Sequence, residues 1–456
     1  MERMSFKIKL GIVVALAVVA GCGGPAGGSN PSGATAANVK SAPTGEGKLS
    51  GKLTVLAFKG GYDIDFYQAA GAEFQAKNPG LQVSVSGSPD VADQVRTAML
   101  AGNPPDLMYP SWKYDHWDAA EEGQLMDLDS ALDSPAYAGK GTWRDTFEPS
   151  ILKLGQKDGK QFVLPYFFSV WGWWYDPGVF AANGWTPPKS FPELEALCEK
   201  IKAKGIAPIT FQGKYPYYMI QGMLLPWAQD LGGIKVINDL QNLVPGAWEN
   251  PAVLQAAQMI KDLRDKGDFE KGAVGLSHTE SQTEFLNGHA AMIPCGTWLD
   301  SEMKKIMPPN AKMEFLMPPL PQNVQGDPTA LCIEIEPWMV PAAAPNPNAA
   351  IAFFKYMTSL PKAQQFVQQK ATLMSIEGAN DVTLPDTLVQ PSKLFKQSKT
   401  VYSYLARQWY TAMETEIEGA LTSLLNGEIT PKQFCDRAEA AAEKTRQDSS
   451  ITKFKL

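Results

Sequence analysis

Apolar residues near the start of the chain recur with two different periods. Short strands are predicted where apolar and polar residues alternate or where a brief apolar run occurs, at 53–57, 81–85 and 107–109. The segments between them carry apolar residues at helical spacing, Phe66, Ala70 and Phe74 in the first and Val91, Val95 and Met99 in the second. This order of strands and helices predicts a parallel sheet in an α/β protein.

Helix-capping residues mark the starts of further helices along the chain. We expect capped starts at three pairs of residues: Ser190 with Glu193, Thr279 with Gln282, and Thr430 with Gln433. Strands are predicted at 206–211 and 290–294. Apolar residues at helical spacing from 404 to 425 predict one long helix near the end of the chain, with Trp409 on its buried side.

The first residues have the pattern of an export signal. Lys7 and Lys9 precede an apolar stretch at 10–20. That stretch is shorter than the about 20 residues that a membrane-spanning helix needs, but it suits a signal peptide. It ends in Val-Ala-Gly-Cys at 19–22, which resembles the lipobox of bacterial lipoproteins. This resemblance implies that residues 1–21 are removed and that Cys22 carries lipid.

The segment after Cys22 has a different composition from the rest of the chain. Residues 22–48 are mostly Gly, Ala, Ser, Pro and Thr, and such a stretch buries too little apolar surface to fold. We expect a flexible tether there. About 400 residues follow, too many for one core, so two lobes are expected.

Charge and cysteine content exclude several classes of function. Acidic residues outnumber basic ones, 48 to 41, and no Lys/Arg run occurs, which argues against nucleic acid as a partner. Cys198, Cys295, Cys332 and Cys435 form no CxxC pair, and the three His residues are scattered, so neither a metal nor a cofactor is expected. The four thiols could pair in three ways; we favour buried, unpaired thiols.

Several segments in the middle of the chain resemble one known family. They read AGNPPD at 101–106, GKQFVLP at 159–165, WYD at 174–176, PKSFPEL at 188–194, FLNGHAAM at 285–292 followed by Gly296 and Trp298, and NGEITP at 426–431. Together and in this order they resemble family 1 extracellular solute-binding proteins, the group of the maltose-binding protein. Asp176 and His289 depart from that pattern, where Asn and Lys are usual.

The resemblance implies a two-lobed periplasmic-binding-protein fold, each lobe a mostly parallel sheet flanked by helices. We expect one lobe at 49–165 plus about 330–395 and the other at 166–329 plus about 396–456. The implied function is the capture subunit of a carbohydrate ABC importer. A hinge would close the lobes around the sugar, and a membrane permease would accept it. We expect a monomer without catalytic residues, held to the membrane through Cys22.

Candidate ligand contacts follow from the sugar and from the fold. A sugar ring needs flat aromatic platforms for its C–H faces and polar acceptors for its hydroxyls. Sites in α/β lobes lie beyond the carboxyl ends of strands. The residues at such positions are Lys59, Tyr62, Asp63, Trp112, Tyr114, Tyr217, Tyr218, Trp298, Glu336 and Trp338, and Trp171 from the neighbouring tryptophan cluster is a further candidate. The resemblance places Trp298 at the sugar-stacking position of the family and Tyr217 and Tyr218 on its aromatic loop.

Each candidate also has a purely structural interpretation. For Trp298 we favour ligand contact over core packing, because it follows a strand end. For Trp112 and Tyr217 the two interpretations weigh equally. Asp63 and Glu336 are solvated carboxylates unless the cleft covers them. The runs GIAP at 205–208 and GKYPYY at 213–218 resemble members that bind N-acetylglucosamine or its short oligomers. Cellobiose, xylose and other oligosaccharides remain alternative ligands.

Three other functions remain compatible with the sequence. A glycoside hydrolase would also carry aromatic platforms, but it needs two carboxylates at a defined separation, and no GxSxG, HExxH or P-loop motif occurs. Metal or anion capture is a second alternative, because ferric-binding relatives of the fold use paired tyrosines such as Tyr217 and Tyr218, although the nearby tryptophans favour a sugar. A sensory binding protein would have the same sequence features as a transport protein.

Overall fold

The computed structural model describes residues 39–111, 113–309 and 311–456. Its strands are β1 Gly51–Phe58, β2 Leu81–Ser88, β3 Leu107–Tyr109, β4 Gln156–Lys157, β5 Lys160–Gln161, β6 Leu164–Tyr175, β7 Ala207–Ile209, β8 Ala290–Gly296, β9 Glu314–Leu316, β10 Leu331–Trp338, β11 Leu373–Met374 and β12 Val401–Tyr402. The predicted export signal, Cys22 and Trp112 lie outside the described residues.

Helices surround these strands. The α-helices are α1 Asp65–Lys77, α2 Val91–Leu100, α3 His116–Glu121, α4 Asp129–Leu132, α5 Pro149–Leu152, α6 Pro177–Asn183, α7 Phe191–Lys202, α8 Tyr217–Met219, α9 Leu225–Gly232, α10 Ile234–Gln241, α11 Pro251–Asp265, α12 His278–Leu286, α13 Leu299–Met303, α14 Pro347–Met357, α15 Leu360–Lys370, α16 Asp386–Gln397, α17 Ala406–Trp409, α18 Thr411–Leu425 and α19 Pro431–Gln447. Short 3₁₀ turns occur at Arg144–Thr146, Lys153–Gly155, Ala247–Glu249 and Ala273–Gly275, and a π-helical turn at Ile220–Leu224.

The first part of the chain forms the predicted parallel sheet. Its strand order is β2–β1–β3, and β1 runs parallel to both neighbours. Leu53 and Val55 on β1 are fully buried, as the alternation at 53–57 predicts. Phe66 and Phe74 lie on the buried side of α1. The predicted order of strands and helices is confirmed here.

The second sheet is more mixed than expected. Its strand order is β12–β10–β6–β8–β7, and β9 and β11 also pair with β6. The pairs β7–β8 and β10–β12 are parallel. Strand β6 is antiparallel to β8, β9, β10 and β11. The expectation of a mostly parallel sheet is therefore wrong for this part, because the long strand β6 runs against its neighbours.

Two clusters of buried side chains meet along β6. Leu164, Tyr166 and Phe167 pack in the cluster that surrounds the first sheet. The residues of β6 from Phe168 onward pack in a second cluster, which includes α18 and α19. Strand β10 divides in the same way, since Trp338 belongs to the first cluster and Ile335 to the second. Both strands therefore connect the two cores.

The helix caps follow the sequence in part. Thr430 and Gln433 form the predicted capping box of α19. Ser190 precedes α7 without a side-chain cap, and Glu193 instead accepts a hydrogen bond from the Lys189 backbone N–H at 2.7 Å. The box predicted at Thr279 and Gln282 lies two residues earlier, at Ser277 and Glu280. Gln282 is buried inside α12, where it bonds Glu302 at 2.8 Å.

The long helix predicted from 404 to 425 is broken at Tyr410. Helices α17 and α18 flank that residue, which has an extended φ of −135°. The Tyr410 hydroxyl accepts a hydrogen bond from the Phe454 backbone N–H at 2.8 Å, and the Trp409 ring stacks on the Phe454 ring. Contacts with the C-terminal tail thus interrupt the helix at a position where the apolar spacing predicts that it continues. Trp409 is buried, as predicted.

The end of the predicted tether is attached to the body of the protein. Ala42 is buried, and its backbone N–H donates to the Asp127 carbonyl at 2.7 Å. The Gly45 N–H donates to the Asn348 side chain at 2.9 Å. The prediction that the tether stays flexible as far as residue 48 is therefore wrong for these last positions. Backbone hydrogen bonds attach them to the body of the protein, although few of their side chains are buried.

The four cysteines within the described residues are unpaired and buried, which confirms the interpretation we favoured. Burial raises the pKa of each thiol. None of the described helices combines the length and the apolar character that crossing a membrane would require.

Candidate ligand-binding cleft

A cavity of about 230 Å³ lies where β6, β8 and β10 meet the loop after β1. Its walls combine aromatic and charged side chains from distant parts of the sequence. The side chains and backbone that line it belong to Phe58, Gly60, Gly61, Tyr62, Tyr109, Lys113, Trp171, Tyr215, Tyr217, Tyr218, His278, Trp298, Glu302, Glu334, Glu336 and Arg407. We call this space the aromatic cavity.

Trp171, Trp298 and Tyr218 form a tight aromatic group on one wall. The Trp171 and Trp298 ring centroids lie 4.7 Å apart at 86°, and Tyr218 meets both rings edge-to-face, at 5.2 Å and 5.8 Å. Such edge-to-face pairs hold rings in fixed orientations. The Tyr217 ring continues the group, 4.7 Å from Tyr218. The wall therefore presents rigid, largely apolar surface to a ligand.

Gly296 shapes the position of Trp298. The Trp298 ring folds back over the end of β8, and a Cβ at position 296 would lie 1.9 Å from a ring carbon. Only glycine leaves this space without moving the ring. Trp298 stays partly exposed to the cavity, whereas Trp171 is almost fully buried.

Two carboxylates project from the same face of β10 into the aromatic cavity. Glu334 and Glu336 are two residues apart, and side chains two apart on a strand share one face. The Trp171 indole N–H donates to Glu334 at 3.4 Å, and the Tyr109 hydroxyl donates to Glu336 at 2.6 Å. Both carboxylates keep acceptor capacity for a ligand hydroxyl.

The environment of these carboxyls disfavours their charged forms. Burial raises the pKa of Glu336 to about 8, and the neighbouring charge of Glu334 adds to this while the Tyr109 hydrogen bond opposes it. Burial also raises the pKa of Glu334, against the attraction of Arg407.

Arg407 forms another part of the wall. Its guanidinium carbon lies 3.5 Å from the centre of the Tyr217 ring, which is cation–π geometry. Glu302 lies on a further wall, where Gln282 donates to it at 2.8 Å and His278 Nε2 lies 3.4 Å away. The cavity thus has apolar platforms with charged donors and acceptors around them.

Comparison with known proteins identifies the family. The sequence profile of bacterial extracellular solute-binding proteins matches residues 60–365. The chain belongs to this family. The match covers β2, β3, β6, β8 and β10, and hence most of the elements that line the aromatic cavity.

Two sequence relatives of this solute-binding protein cover most of its length. The chain is 28% identical over 413 residues to the diacetylchitobiose binding protein NgcE of Streptomyces coelicolor, covering 88% of this chain and 86% of the relative. It is 22% identical over 345 residues to the multiple sugar-binding protein of Streptococcus mutans, covering 74% and 78%.

Solved structures show the same fold. One, described for xylan utilization by a thermophilic Caldanaerobius bacterium, superimposes with a TM-score of 0.73 at 20% identity, covering 85% of this chain and 99% of that one. A chitin oligosaccharide binding protein gives a TM-score of 0.69 at 20% identity, covering 87% and 98%. The two-lobed α/β fold expected for the solute-binding protein is confirmed.

The structure brings six of the predicted contacts to the aromatic cavity: Tyr62, Trp171, Tyr217, Tyr218, Trp298 and Glu336. Tyr62 reaches it from the loop after β1, with its hydroxyl 3.1 Å from the Ser169 hydroxyl. Tyr62, Tyr217, Tyr218 and Trp298 follow strands, as the rule for ligand sites in α/β lobes predicts, whereas Trp171 and Glu336 lie within β6 and β10. Their contact with a ligand stays a prediction.

Four predicted residues lie elsewhere. Lys59 and Asp63 form a half-exposed ion pair with each other at 3.7 Å. Tyr114 is buried beside Arg96, outside the aromatic cavity. Trp338 is fully buried, stacked on Tyr109 at 5.3 Å and packed against Tyr67. None of these four lines the aromatic cavity, because their side chains pair or pack locally. Trp338 supports Tyr109 from behind.

Several lining residues were missed from the sequence. Glu334 shares its strand face with Glu336, so the alternation along β10 could have found it. Glu302 follows Trp298 by four residues, which is one helical turn. Arg407 had no sequence signal, because its position depends on the break at Tyr410. The remaining missed residues are Phe58, Gly60, Gly61, Tyr109, Lys113, Tyr215 and His278.

Proposed function

We propose that this protein is the ligand-capture subunit of a carbohydrate ABC importer. The observation that carries the proposal is the aromatic group Trp171, Trp298 and Tyr218 in one cavity with Glu334 and Glu336. Ring faces stack on the apolar C–H side of a sugar, and carboxylates accept hydrogen bonds from its hydroxyls. Sequence relatives named for sugar binding support this chemistry.

The proposed mechanism is closure of two lobes around the sugar. Strands β6 and β10 connect the two hydrophobic cores, and the cavity lies beside them. Residues of both cores line it: Tyr62 and Tyr109 belong to the first core and Tyr218 to the second, and Trp298 packs against both. Closing would remove the sugar from water on both faces, and the closed form would be delivered to the permease.

A short oligomer of N-acetylglucosamine is the first ligand to test. The relative NgcE, similar over 88% of this chain, is named for binding diacetylchitobiose. The run GKYPYY at 213–218 contributes Tyr215, Tyr217 and Tyr218 to the aromatic cavity. Both observations support this class over cellobiose or xylose oligomers, which belong in the same panel.

Truncating Trp298 tests the proposed stacking. Removing one stacked platform costs roughly 1–3 kcal/mol of binding free energy by area and aromatic terms, so Trp298→Ala should weaken sugar binding by up to about a hundredfold. Calorimetric affinity and the melting temperature of the ligand-free protein are measured on the same variant. A large fall in melting temperature with affinity unchanged would show that Trp298 only packs.

We further propose that the protein captures its sugar without cleaving it. Glu302, Glu334 and Glu336 all line the cavity, so carboxylates are present where a glycosidase would need them. The family and its sugar-binding relatives support capture instead. Sustained release of reducing ends from a bound oligosaccharide, abolished by Glu336→Gln, would contradict this.

Attachment through lipid on Cys22 completes the proposal. The Val-Ala-Gly-Cys sequence at 19–22 supports cleavage before Cys22 and lipid on its sulfur. The protein would then act as a membrane-held monomer on the outer side of its membrane. Mass spectrometry of the mature N-terminus should find lipidated Cys22 and lose that species in Cys22→Ala. An unmodified N-terminus elsewhere in the wild type would exclude the anchor.

A further inference from the structure

The short helix α13 lies between the first core, around the first sheet, and the second core, which includes α18 and α19. It begins directly after Trp298, and its Leu299 and Met303 pack in the second core. Ser301 and Glu302, between these two residues, instead contact elements that belong to the first core. Helix α13 is therefore a part of the second core that reaches across to the first.

Ser301 makes a hydrogen bond from one core to the other. Its hydroxyl donates to the backbone carbonyl of Lys370 at 2.6 Å. Lys370 is the last residue of α15, which buries Phe366 and Val367 in the first core, and its ammonium pairs with Asp65 at the start of α1. Carbonyls in the last turn of a helix have no partner within that helix. Ser301 thus supplies a donor that α15 lacks.

The loop after β1 meets the same helix. Gly61 precedes Tyr62 of the first core, and a Cβ on Gly61 would lie 3.3 Å from Cβ and 3.4 Å from Cα of Glu302. Such distances are tighter than side chains normally adopt, so the missing side chain at position 61 lets the loop and the helix approach each other. Glu302 also lines the aromatic cavity. This second contact between the cores therefore borders the ligand space.

Both contacts join the cores away from the strands that connect them. Strands β6 and β10 carry the chain between the cores and keep it continuous in any arrangement. The contacts of Ser301 and Glu302 are non-covalent, so a movement that separates the lobes beside the cavity has to break them. Contacts that exist in only one of two arrangements shift the equilibrium towards that arrangement.

We propose that α13 is a latch for the closed arrangement. The Ser301–Lys370 hydrogen bond and the Gly61–Glu302 contact form when the lobes close, and they slow the release of bound sugar. This inference rests on the proposed function and adds a residue that sets affinity without touching the sugar. Ser301 does not line the aromatic cavity, so it is a positioning residue.

Removing the Ser301 hydroxyl tests the latch. The probes are diacetylchitobiose, cellobiose and xylobiose, and the variants are compared with the sugar that the wild type binds most tightly. Ser301→Ala should release this sugar about three- to tenfold faster, the loss expected for one hydrogen bond present only in the closed form. Its association rate should stay unchanged, because the latch forms after the sugar has entered. Stopped-flow tryptophan fluorescence measures both rates.

Thr387→Val is the matched control for Ser301→Ala. The Thr387 hydroxyl donates to Asp300, the neighbour of Ser301 on α13, at 2.7 Å. This bond lies within the second core, since Leu388 and Leu299 both pack there. Thr387→Val should therefore keep the wild-type release rate, and Ser301→Thr, which retains a hydroxyl, should stay close to it.

The outcomes separate the latch from the proposed function. An unchanged release rate in Ser301→Ala, even with a lower melting temperature of the ligand-free protein, would show that Ser301 only stabilises the fold. An equal rise in Ser301→Ala and Thr387→Val would also overturn the latch. Absence of binding of all three sugars to the wild type would overturn the proposed function itself.

Discussion

Glu414 is a buried carboxyl whose ionised form is destabilised in the folded protein. Its side chain is 2% exposed on α18, and Glu418 lies one turn further along the same helix. Burial and the Glu418 charge raise the pKa of Glu414 to about 8, while the Tyr404 hydrogen bond and Arg407 oppose the rise. Between the pKa of Glu414 in the unfolded chain and its higher pKa in the folded protein, the carboxyl is therefore protonated when folded and ionised when unfolded.

Replacing Glu414 with Gln should remove a pH-dependent loss of stability. Because the pKa of Glu414 is higher in the folded protein, its contribution to the free energy of unfolding is largest below its ordinary pKa of 4.5. This contribution decreases as the pH rises and is lost as the pH passes about 8. The wild type should therefore lose about 1–3 kcal/mol of unfolding free energy relative to Glu414→Gln between pH 5 and pH 8. Denaturant unfolding of both proteins at each pH measures this. A difference that stays constant with pH would contradict the shifted pKa.

Single residues were predictable where a simple local rule places them. Trp298 and Tyr217 follow strands, and the carboxyl ends of strands form ligand sites in α/β folds. Trp338 also lies at a strand end, but its ring enters the aromatic core beside Tyr67, a packing choice that sequence spacing does not encode. Arg407 lies on α17, which ends beside the contact between Tyr410 and Phe454, and no local sequence rule indicates that its side chain lines the cavity.

Elements followed the sequence where their periodicity was long and locally supported. Strands β1 and β2 with the helix between them appear as predicted, since each buries an alternating or helical face. The pairing direction of β6 was not predictable, because it depends on strands more than a hundred residues away. The break between α17 and α18 likewise comes from a distant contact rather than from residues that disfavour helix.

At the end of β8, Gly296→Ala should disturb the ligand wall without unfolding the sheet. The new methyl group would overlap the Trp298 ring, which must move away from Trp171. We expect a loss of sugar affinity of about tenfold or more, as calorimetry measures it, because the platform is displaced. An unchanged affinity would show that the ring position does not matter for binding.

Gly419→Ala in α18 is the matched control for this substitution. An added Cβ there meets no atom within 4 Å, and the glycine is exposed inside the helix. Its sugar affinity should stay at the wild-type value. Its unfolding free energy should rise by roughly 0.5–1 kcal/mol, because alanine restricts the unfolded chain and favours helix. Comparing both variants separates a general effect of Gly→Ala from displacement of Trp298.

On the scale of the whole molecule, β6 and β10 have a weak point between the two cores. Their pairing shifts register between Ile335 and Pro337, and Pro337 pairs with Pro165. Proline has no backbone N–H, so this pair cannot form ladder hydrogen bonds. A register shift also bends a strand locally. We infer that the proposed closure bends the chain here, one residue from the cavity carboxylate Glu336.

Closure at this point should make the protein more compact when sugar binds. Small-angle scattering of the wild type should give a smaller radius of gyration with saturating sugar than without it, since hinge closure brings the lobes together. The melting temperature should rise with sugar concentration, as binding to the folded state requires. Trp298→Ala at the same sugar concentration should show smaller changes in both quantities, because less of it is occupied. If calorimetry shows full occupancy of the wild type while its radius of gyration stays constant, the two lobes already hold their final arrangement, and the Pro165–Pro337 pair is not a hinge.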